Sequence, residues 1–234
     1  MLSVDTANID EARRWVQQFG VCKMITTNQK IFSTENNINY ETRIYELLRF
    51  RVPVSIELTG SKEFLKEAKS YCLDNNRQEH SNAVIKVPMW KDGHGLEIAK
   101  VLLDNKFKVN MTCLIDINQM ILACELGATY ASFFYNRMID WYAKDTSLDD
   151  ARKITNGNIV TSRRIIDAQG FKTKIICGSI RKPNDAAYCF HSGAHIVTVT
   201  PKVLEQMPFH PKTEETIAEF DEAWKEFCAK SKIR

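Results

Sequence analysis

Four glycines do most to restrict how this chain can fold. Gly20, Gly127, Gly170 and Gly193 each follow a run of helical period and lead, within a few residues, into a short β-rich run. A helix, a glycine free to adopt positive φ and then a strand form the signature of an αβ loop. The strand-like runs after these glycines are residues 21–26, 129–133, 173–179 and 195–199. Residues 2–5, 53–58, 83–87 and 108–114 have the same character, which makes eight.

Helical patterns lie between the runs. Residues 8–19 space Ile9, Ala12, Val16 and Phe19 along one face. Residues 61–73 carry Phe64, Leu65, Ala68 and Leu73 behind a Ser61 cap. Leu96, Ala99, Val101 and Leu103 mark a helix that Asn105 ends in place of a glycine. Residues 117–126, 148–168 and 185–191 continue the alternation, and 213–230 form an amphipathic terminal helix with Ile217, Phe220, Trp224 and Phe227. Eight strands alternating with helices over about 200 residues predict a (β/α)8, or TIM, barrel. We place a single catalytic barrel domain over residues 1–210, and a helix over 211–234 that packs on the barrel or on a neighbouring subunit. An open doubly wound sheet would need a Gly-rich phosphate loop after its first strand, and Thr6-Ala7-Asn8-Ile9 is nothing like one.

Composition narrows the function classes. With 44% hydrophobic and 26% charged residues the chain is too apolar for disorder and too interrupted by charge for a membrane span. A formal charge of +3, spread along the chain, is no footprint for nucleic acid or an anionic bilayer. Seven cysteines, an odd number without a CxxC pair, read as reduced, and Cys113, Cys124 and Cys177 read as buried small hydrophobes. The first ten residues contain acids and lack a signal sequence, so a cytoplasmic protein is expected.

In a barrel, alternate strand residues point inward and chemistry gathers at strand C-terminal ends. Several strands end in residues that do not belong in an apolar interior. Asp5 closes the first; Thr26 and Asn28 share a parity at the second. Glu57 ends the third and Lys86 sits within Val84-Ile85-Lys86-Val87-Pro88. Asn110 and Thr112 share a face, as do Ser179 and Arg181, while Ser132 is followed by Arg137. Each has a plain structural reading. Asp5 can cap the following helix and Asn28 a short one. Lys86 and Glu57 can form a structural ion pair, although buried pairs bring little net stability.

A buried lysine permits one specific chemistry. Desolvation disfavours the ammonium form, and the neutral amine adds to a ketone and dehydrates to a Schiff base, an electron sink for a neighbouring carbanion. Such an enzyme needs carboxylates to move protons, and Glu57 and Asp5 are available. Arg137 and Arg181 at the rim could grip a phosphate through forked hydrogen bonds. The constellation describes a lysine-dependent aldolase or aldol transferase.

Val4-Asp5-Thr6-Ala7-Asn8-Ile9, Thr26-Thr27-Asn28, Val84-Ile85-Lys86-Val87-Pro88-Met89, Asn110-Met111-Thr112, the stretch from Ser132 to Arg137 and Gly178-Ser179-Ile180-Arg181 occur here in order. In this the chain resembles the transaldolases over nearly its whole length. Its short length and the ending Pro201-Lys202-Val203-Leu204-Glu205-Gln206-Met207 resemble the small subfamily shared with fructose-6-phosphate aldolase. The resemblance implies that Lys86 forms the Schiff base and that Asp5 takes the proton of the substrate C4 hydroxyl. It implies that Glu57 moves protons through a water held by Thr112. Asn28, Asn110 and Ser132 match residues that hold the dihydroxyacetone hydroxyls, with Thr26 beside them; Arg137, Ser179 and Arg181 match a phosphate clamp. The implied reaction moves a dihydroxyacetone unit from sedoheptulose 7-phosphate or fructose 6-phosphate to an aldose phosphate, with no metal or organic cofactor. A homo-oligomer, pentamer or decamer, is also implied.

The aldolases of this subfamily resemble one another in having glutamine where this chain has Glu57 and tyrosine where it has Phe134. The pattern here is therefore that of the transferase. A phenol at Phe134 would protonate the enamine and release free dihydroxyacetone; without one the enamine waits for an acceptor aldehyde. Gln29 replaces the proline that usually follows Thr-Thr-Asn, which predicts a looser donor-side loop. Residues 138–158 carry Trp141, Tyr142 and Lys144 in place of a Gly- and Asp-containing stretch, which leaves the acceptor sugar open and makes a non-standard acceptor an alternative. The alternatives are an aldolase releasing free dihydroxyacetone and a barrel that binds sugar phosphates without turning them over. His191 and His195 are four apart, but Gly193 lies between them and no acidic third ligand is evident, so no metal site is assigned. Tyr71-Cys72 and Cys189-Phe190 read as core packing.

Overall fold

The computed structural model describes residues 1–35, 38–60, 62–72 and 82–231. Eight parallel strands close on themselves in sequence order, the last pairing with the first. Strand β1 (Leu2–Asp5) is followed by α1 (Ile9–Ala12), β2 (Cys22–Thr26), α2 (Gln29–Phe32), α3 (Tyr40–Leu48) and β3 (Val54–Glu57). Next come α4 (Phe64–Cys72), β4 (Ala83–Pro88), α5 (His94–Asp104), β5 (Val109–Leu114), α6 (Ile117–Glu125) and β6 (Tyr130–Phe134). The chain continues through α7 (Tyr135–Tyr142), α8 (Leu148–Gln169), β7 (Lys174–Gly178), α9 (Pro183–His191), β8 (Ile196–Val199), α10 (Pro201–Leu204) and α11 (Pro211–Ser231). The eight expected strands are thus present and form the expected barrel.

The punctuation works largely as the sequence predicts. Gly20, Gly127, Gly170 and Gly193 have φ of +65°, +81°, +69° and +100°. The helix before β5 ends differently. Asn105 keeps a right-handed φ of −85° and its side-chain amide donates to the Val101 carbonyl at 2.9 Å. The left-handed position is Lys106 at φ +67°, because the Phe107 and Lys106 N–H groups turn back to the Leu102 and Leu103 carbonyls. Residues 8–19 are not one regular helix. Asn8 accepts from the N–H groups of Asp10 and Glu11, and beyond Ala12 the turn widens into a π-helix over Arg13–Gln18. The Ser61 cap and Leu73 lie outside the described residues.

Register and alternation sort the barrel interior into layers contributed by alternate strands, as the fold requires. The lowest layer comes from the even strands: Met24, Val84, Tyr130 and Ile196, which with Ile176 form an apolar plug separate from the outer core. Outside the strands, a larger cluster joins the outward faces (Val4, Ile25, Ile56, Ile85) to the helices. Above the plug the interior turns polar. Ser3, Ser55 and Asn110 come next, then Thr26, Lys86, Ser132 and Thr198, and last Asp5, Glu57 and Thr112. Pairing sets Glu57 opposite Lys86 and Lys86 opposite Asn110. Gly178 completes the top layer without a side chain, and a Cβ there would come within 3.2 Å of the Thr198 methyl.

One surface feature departs from expectation, and one bears on assembly. Phe190 is exposed rather than packed, although Cys189 and Tyr71 are buried. Helix α11 buries none of its residues in this chain, leaving Phe220, Trp224 and Phe227 in solvent. Among the described residues no helix is long and apolar enough to cross a membrane.

Candidate active site

The polar layers open into a cavity of about 530 Å3 at the C-terminal ends of the strands. Its lining includes Asp5, Thr26, Asn28, Glu57, Lys86, Asn110, Thr112, Ser132, Phe134, Arg137 and Ser179. The fold therefore brings eleven of the twelve residues singled out in the sequence to one chamber. Arg181 is the one it leaves out.

Lys86 lies at the centre of the floor. Strand β4 carries it between Val84, Ile85 and Val87, all fully buried, so its stem has no outward path. Its ammonium meets Glu57 Oε2 at 3.1 Å, with side-chain exposures of 7% and 17%. The ion pair considered as a structural alternative thus forms, but inside the cavity rather than sealed in the core. The Thr112 hydroxyl is buried with no oxygen or nitrogen partner among the described residues, and the Cys113 thiol beside it is a poor acceptor.

Asp5 is no helix cap, since Asn8 fills that role. Its Oδ1 accepts from the Thr26 hydroxyl at 2.6 Å, and Thr26 stands 2.5 Å from Thr198 Oγ1. Burial raises the Asp5 pKa above the usual carboxylate value. The Lys86 ammonium and the Thr26 hydrogen bond pull against that rise, and the Glu57 carboxylate adds to it. Such a carboxyl holds its proton more readily than one in water, which suits acid–base work near neutrality.

On the other side of the floor Asn110 joins two hydroxyls. Its Nδ2 donates to Ser55 Oγ at 2.9 Å and its Oδ1 accepts from Ser132 Oγ at 2.8 Å. Asn28 caps α2, accepting from the Ile31 N–H at 3.1 Å, while also lining the cavity. The capping reading of Asn28 therefore holds, and with its carbonyl spent on the helix its amide N–H groups remain at the cavity. Gln29 does not loosen this loop. Its Nε2 donates to the Leu58 carbonyl at 2.8 Å and so ties α2 to the end of β3.

At the rim, the Arg137 guanidinium sits 5.0 Å from the centre of the Phe134 ring. Ser179 and Arg181 were expected on one face, but β7 ends at Gly178 and Ser179 has φ +59°. Alternation stops there, so Ser179 faces the cavity while Arg181 turns away. Arg181 instead makes a two-pronged pair with Asp140, Nη1 to Oδ1 at 2.8 Å and Nη2 to Oδ2 at 2.5 Å. Buried Asp185 braces the turn, accepting from the N–H groups of Arg181 and Lys182 and from Asn136 Nδ2.

Gln29, Lys30, Cys113, Thr198 and Thr200 also line the cavity. Thr198 and Thr200 alternate with Val197 and Val199, a signal present in the sequence. Cys113 carried no such signal: it takes φ +64° within β5, where pairing with β6 shifts register. It is half-buried at the cavity wall rather than a core residue. At the opposite end of the barrel, His195 Nδ1 accepts from the Ile175 N–H at 3.0 Å, committing that nitrogen to the backbone.

A profile described as "Transaldolase/Fructose-6-phosphate aldolase" matches residues 2–233. A protein of Lactiplantibacillus plantarum named "Probable transaldolase" is 32% identical over 232 residues, covering 98% of each chain. One of the same name from Clostridium kluyveri is 35% identical over 226 residues, 95% of this chain and 96% of its own. Among solved structures, thiamine phosphate pyrophosphorylase from Pyrococcus furiosus superposes with a TM-score of 0.53 at 12% identity, over 88% of this chain and 93% of that one. At that identity the likeness concerns the barrel alone.

Proposed function

Since the chain belongs to the transaldolase/fructose-6-phosphate aldolase family, we propose that it is a transaldolase working through a Schiff base on Lys86. It moves a dihydroxyacetone unit from a ketose phosphate, sedoheptulose 7-phosphate or fructose 6-phosphate, to an aldose phosphate. The observation that carries this reading is one buried amine on the cavity floor, in contact with one carboxylate and within electrostatic reach of a second.

Glu57 is positioned to take the proton that Lys86 must shed before its nitrogen attacks the ketose C2 carbonyl. Glu57 then returns that proton to the carbinolamine hydroxyl, which leaves as water beside the Thr112 hydroxyl and gives the protonated imine. Asp5 accepts the C4 hydroxyl proton as the C3–C4 bond breaks, the aldehyde leaves, and the electron pair enters the imine to form an enamine. Asn28, Asn110 and Ser132 hold the dihydroxyacetone hydroxyls, and Thr26 orients Asp5. Arg137, Ser179 and Arg181 serve the phosphate. With Phe134 in place of a phenol no hydroxyl stands at that position to protonate the enamine carbon, so the enamine persists until a second aldehyde enters and the steps run in reverse.

Transfer is separated from release by incubating the protein with fructose 6-phosphate, with and without a four-carbon aldose phosphate. A seven-carbon ketose phosphate should form only with the acceptor, and free dihydroxyacetone should accumulate slowly in either case. Phe134→Tyr should raise that release at least about tenfold. Rapid release by the native chain would make it an aldolase instead.

The exposed aromatic face of α11 supports assembly with further copies of this chain into a homo-oligomer. The seven free thiols support a reducing compartment such as the cytoplasm.

A further inference from the structure

The two rim arginines differ in what they face. Arg137 lines the cavity, whereas Arg181 is held outside it by Asp140. Asp140 lies one turn beyond Arg137 on α7, and the charges of both arginines lower its pKa, with the Arg181 hydrogen bonds the largest cause. One carboxylate thus holds one rim arginine and feels the charge of the other. Its two oxygens consume both Nη groups of Arg181, the donors a phosphate would also use. Both side chains are about half exposed, at 53% each. The pair is therefore open to solvent and can exchange partners at small cost.

We propose that Asp140 is a specificity-determining residue, an internal competitor that holds Arg181 until the anionic end of a sugar displaces it. This rests on the reading of Arg181 as a phosphate contact. Asp140 then sets how strongly the site favours phosphorylated over unphosphorylated ketoses. A ligand with two negative charges at its end displaces a singly charged carboxylate, and an uncharged terminal hydroxyl does not. Arg181 thus joins the site only for phosphorylated sugars.

The test is Asp140→Asn, which keeps the shape and removes the charge, measured beside Arg181→Ala and the double variant. For D140N, KM for fructose 6-phosphate should fall about two- to five-fold, matching the strength of an exposed pair. Its kcat should stay within twofold, and inhibition by inorganic phosphate should strengthen by a similar factor. KM for unphosphorylated fructose should not move. R181A should raise KM for fructose 6-phosphate about tenfold, and adding D140N to it should bring no gain. A KM that rises or stays unchanged in D140N, with R181A still impaired, would overturn the competitor role and leave the phosphate role of Arg181 standing. An R181A variant with native KM would overturn both.

Discussion

At the N-terminal end of the barrel interior the even strands contribute Met24, Val84, Tyr130 and Ile196; two residues further along the same strands they contribute Thr26, Lys86, Ser132 and Thr198. All eight are buried, and the spacing of a strand guarantees that both sets point inward. The lower set gains free energy by leaving water. The upper set must satisfy its polar atoms with one another, through the Asp5–Thr26–Thr198 and Ser55–Asn110–Ser132 chains and the Lys86–Glu57 pair. Such arrangements add little net stability and are costly when half satisfied. One end therefore holds the fold together and the other gives up stability for chemistry, within about 7 Å along each strand.

Substitutions at the two ends should separate these roles. The largest effect is expected from replacing the ion pair as a unit, Lys86→Met with Glu57→Gln. Steady-state transfer should drop about 10^4-fold or more, while thermal unfolding should show equal or greater stability, since a buried pair exchanged for neutral groups is often neutral or stabilising. A marked loss of Tm would mean that the pair is a structural strut. Met24→Ala should behave in the opposite way. Denaturant unfolding should register a loss of about 2–5 kcal/mol from the cavity it leaves, and kcat per folded molecule should stay within a few-fold of native. A collapse of kcat in that variant would blur the division between the ends.

The smallest effect concerns Asp5. Its pKa is raised in the fold, so below the unfolded carboxylate value both states hold the proton and ionisation costs nothing. As pH climbs past that value the unfolded chain ionises first, and native stability declines until Asp5 itself ionises at its higher pKa. Asp5→Asn should remove that decline. Its Tm should exceed the native one by about 2–4 °C near neutrality, for about 1 kcal/mol, and the gap should shrink on acidification through the carboxylate range. A gap that widens in acid would reverse the assigned shift.

Much of this division is legible in the sequence, because alternation is a strict rule inside a strand. Strand ends and alternation point Asp5, Thr26, Glu57, Lys86, Asn110, Thr112 and Ser132 to the cavity that they line. Reading fails where alternation stops. Ser179 and Cys113 adopt left-handed φ without being glycine, and no residue type announces that. For this reason Arg181 leaves the face that alternation would have it share with Ser179, and its pairing with Asp140, 41 residues away in sequence, has no local signal. Helix α3 is a different case. Asn39 accepts from the Thr42 N–H as its cap, and Ile44, Leu47 and Leu48 are buried at helical spacing, so the sequence carries a signal for it.

The central claim is that Lys86 forms a covalent imine with a ketose. The direct measurement is borohydride reduction of the protein with fructose 6-phosphate, followed by peptide mass mapping. The account predicts a single reduced dihydroxyacetone or hexose phosphate adduct on the peptide containing Lys86, absent without sugar. No adduct, or one on a surface lysine with Lys86 unmodified, would contradict it.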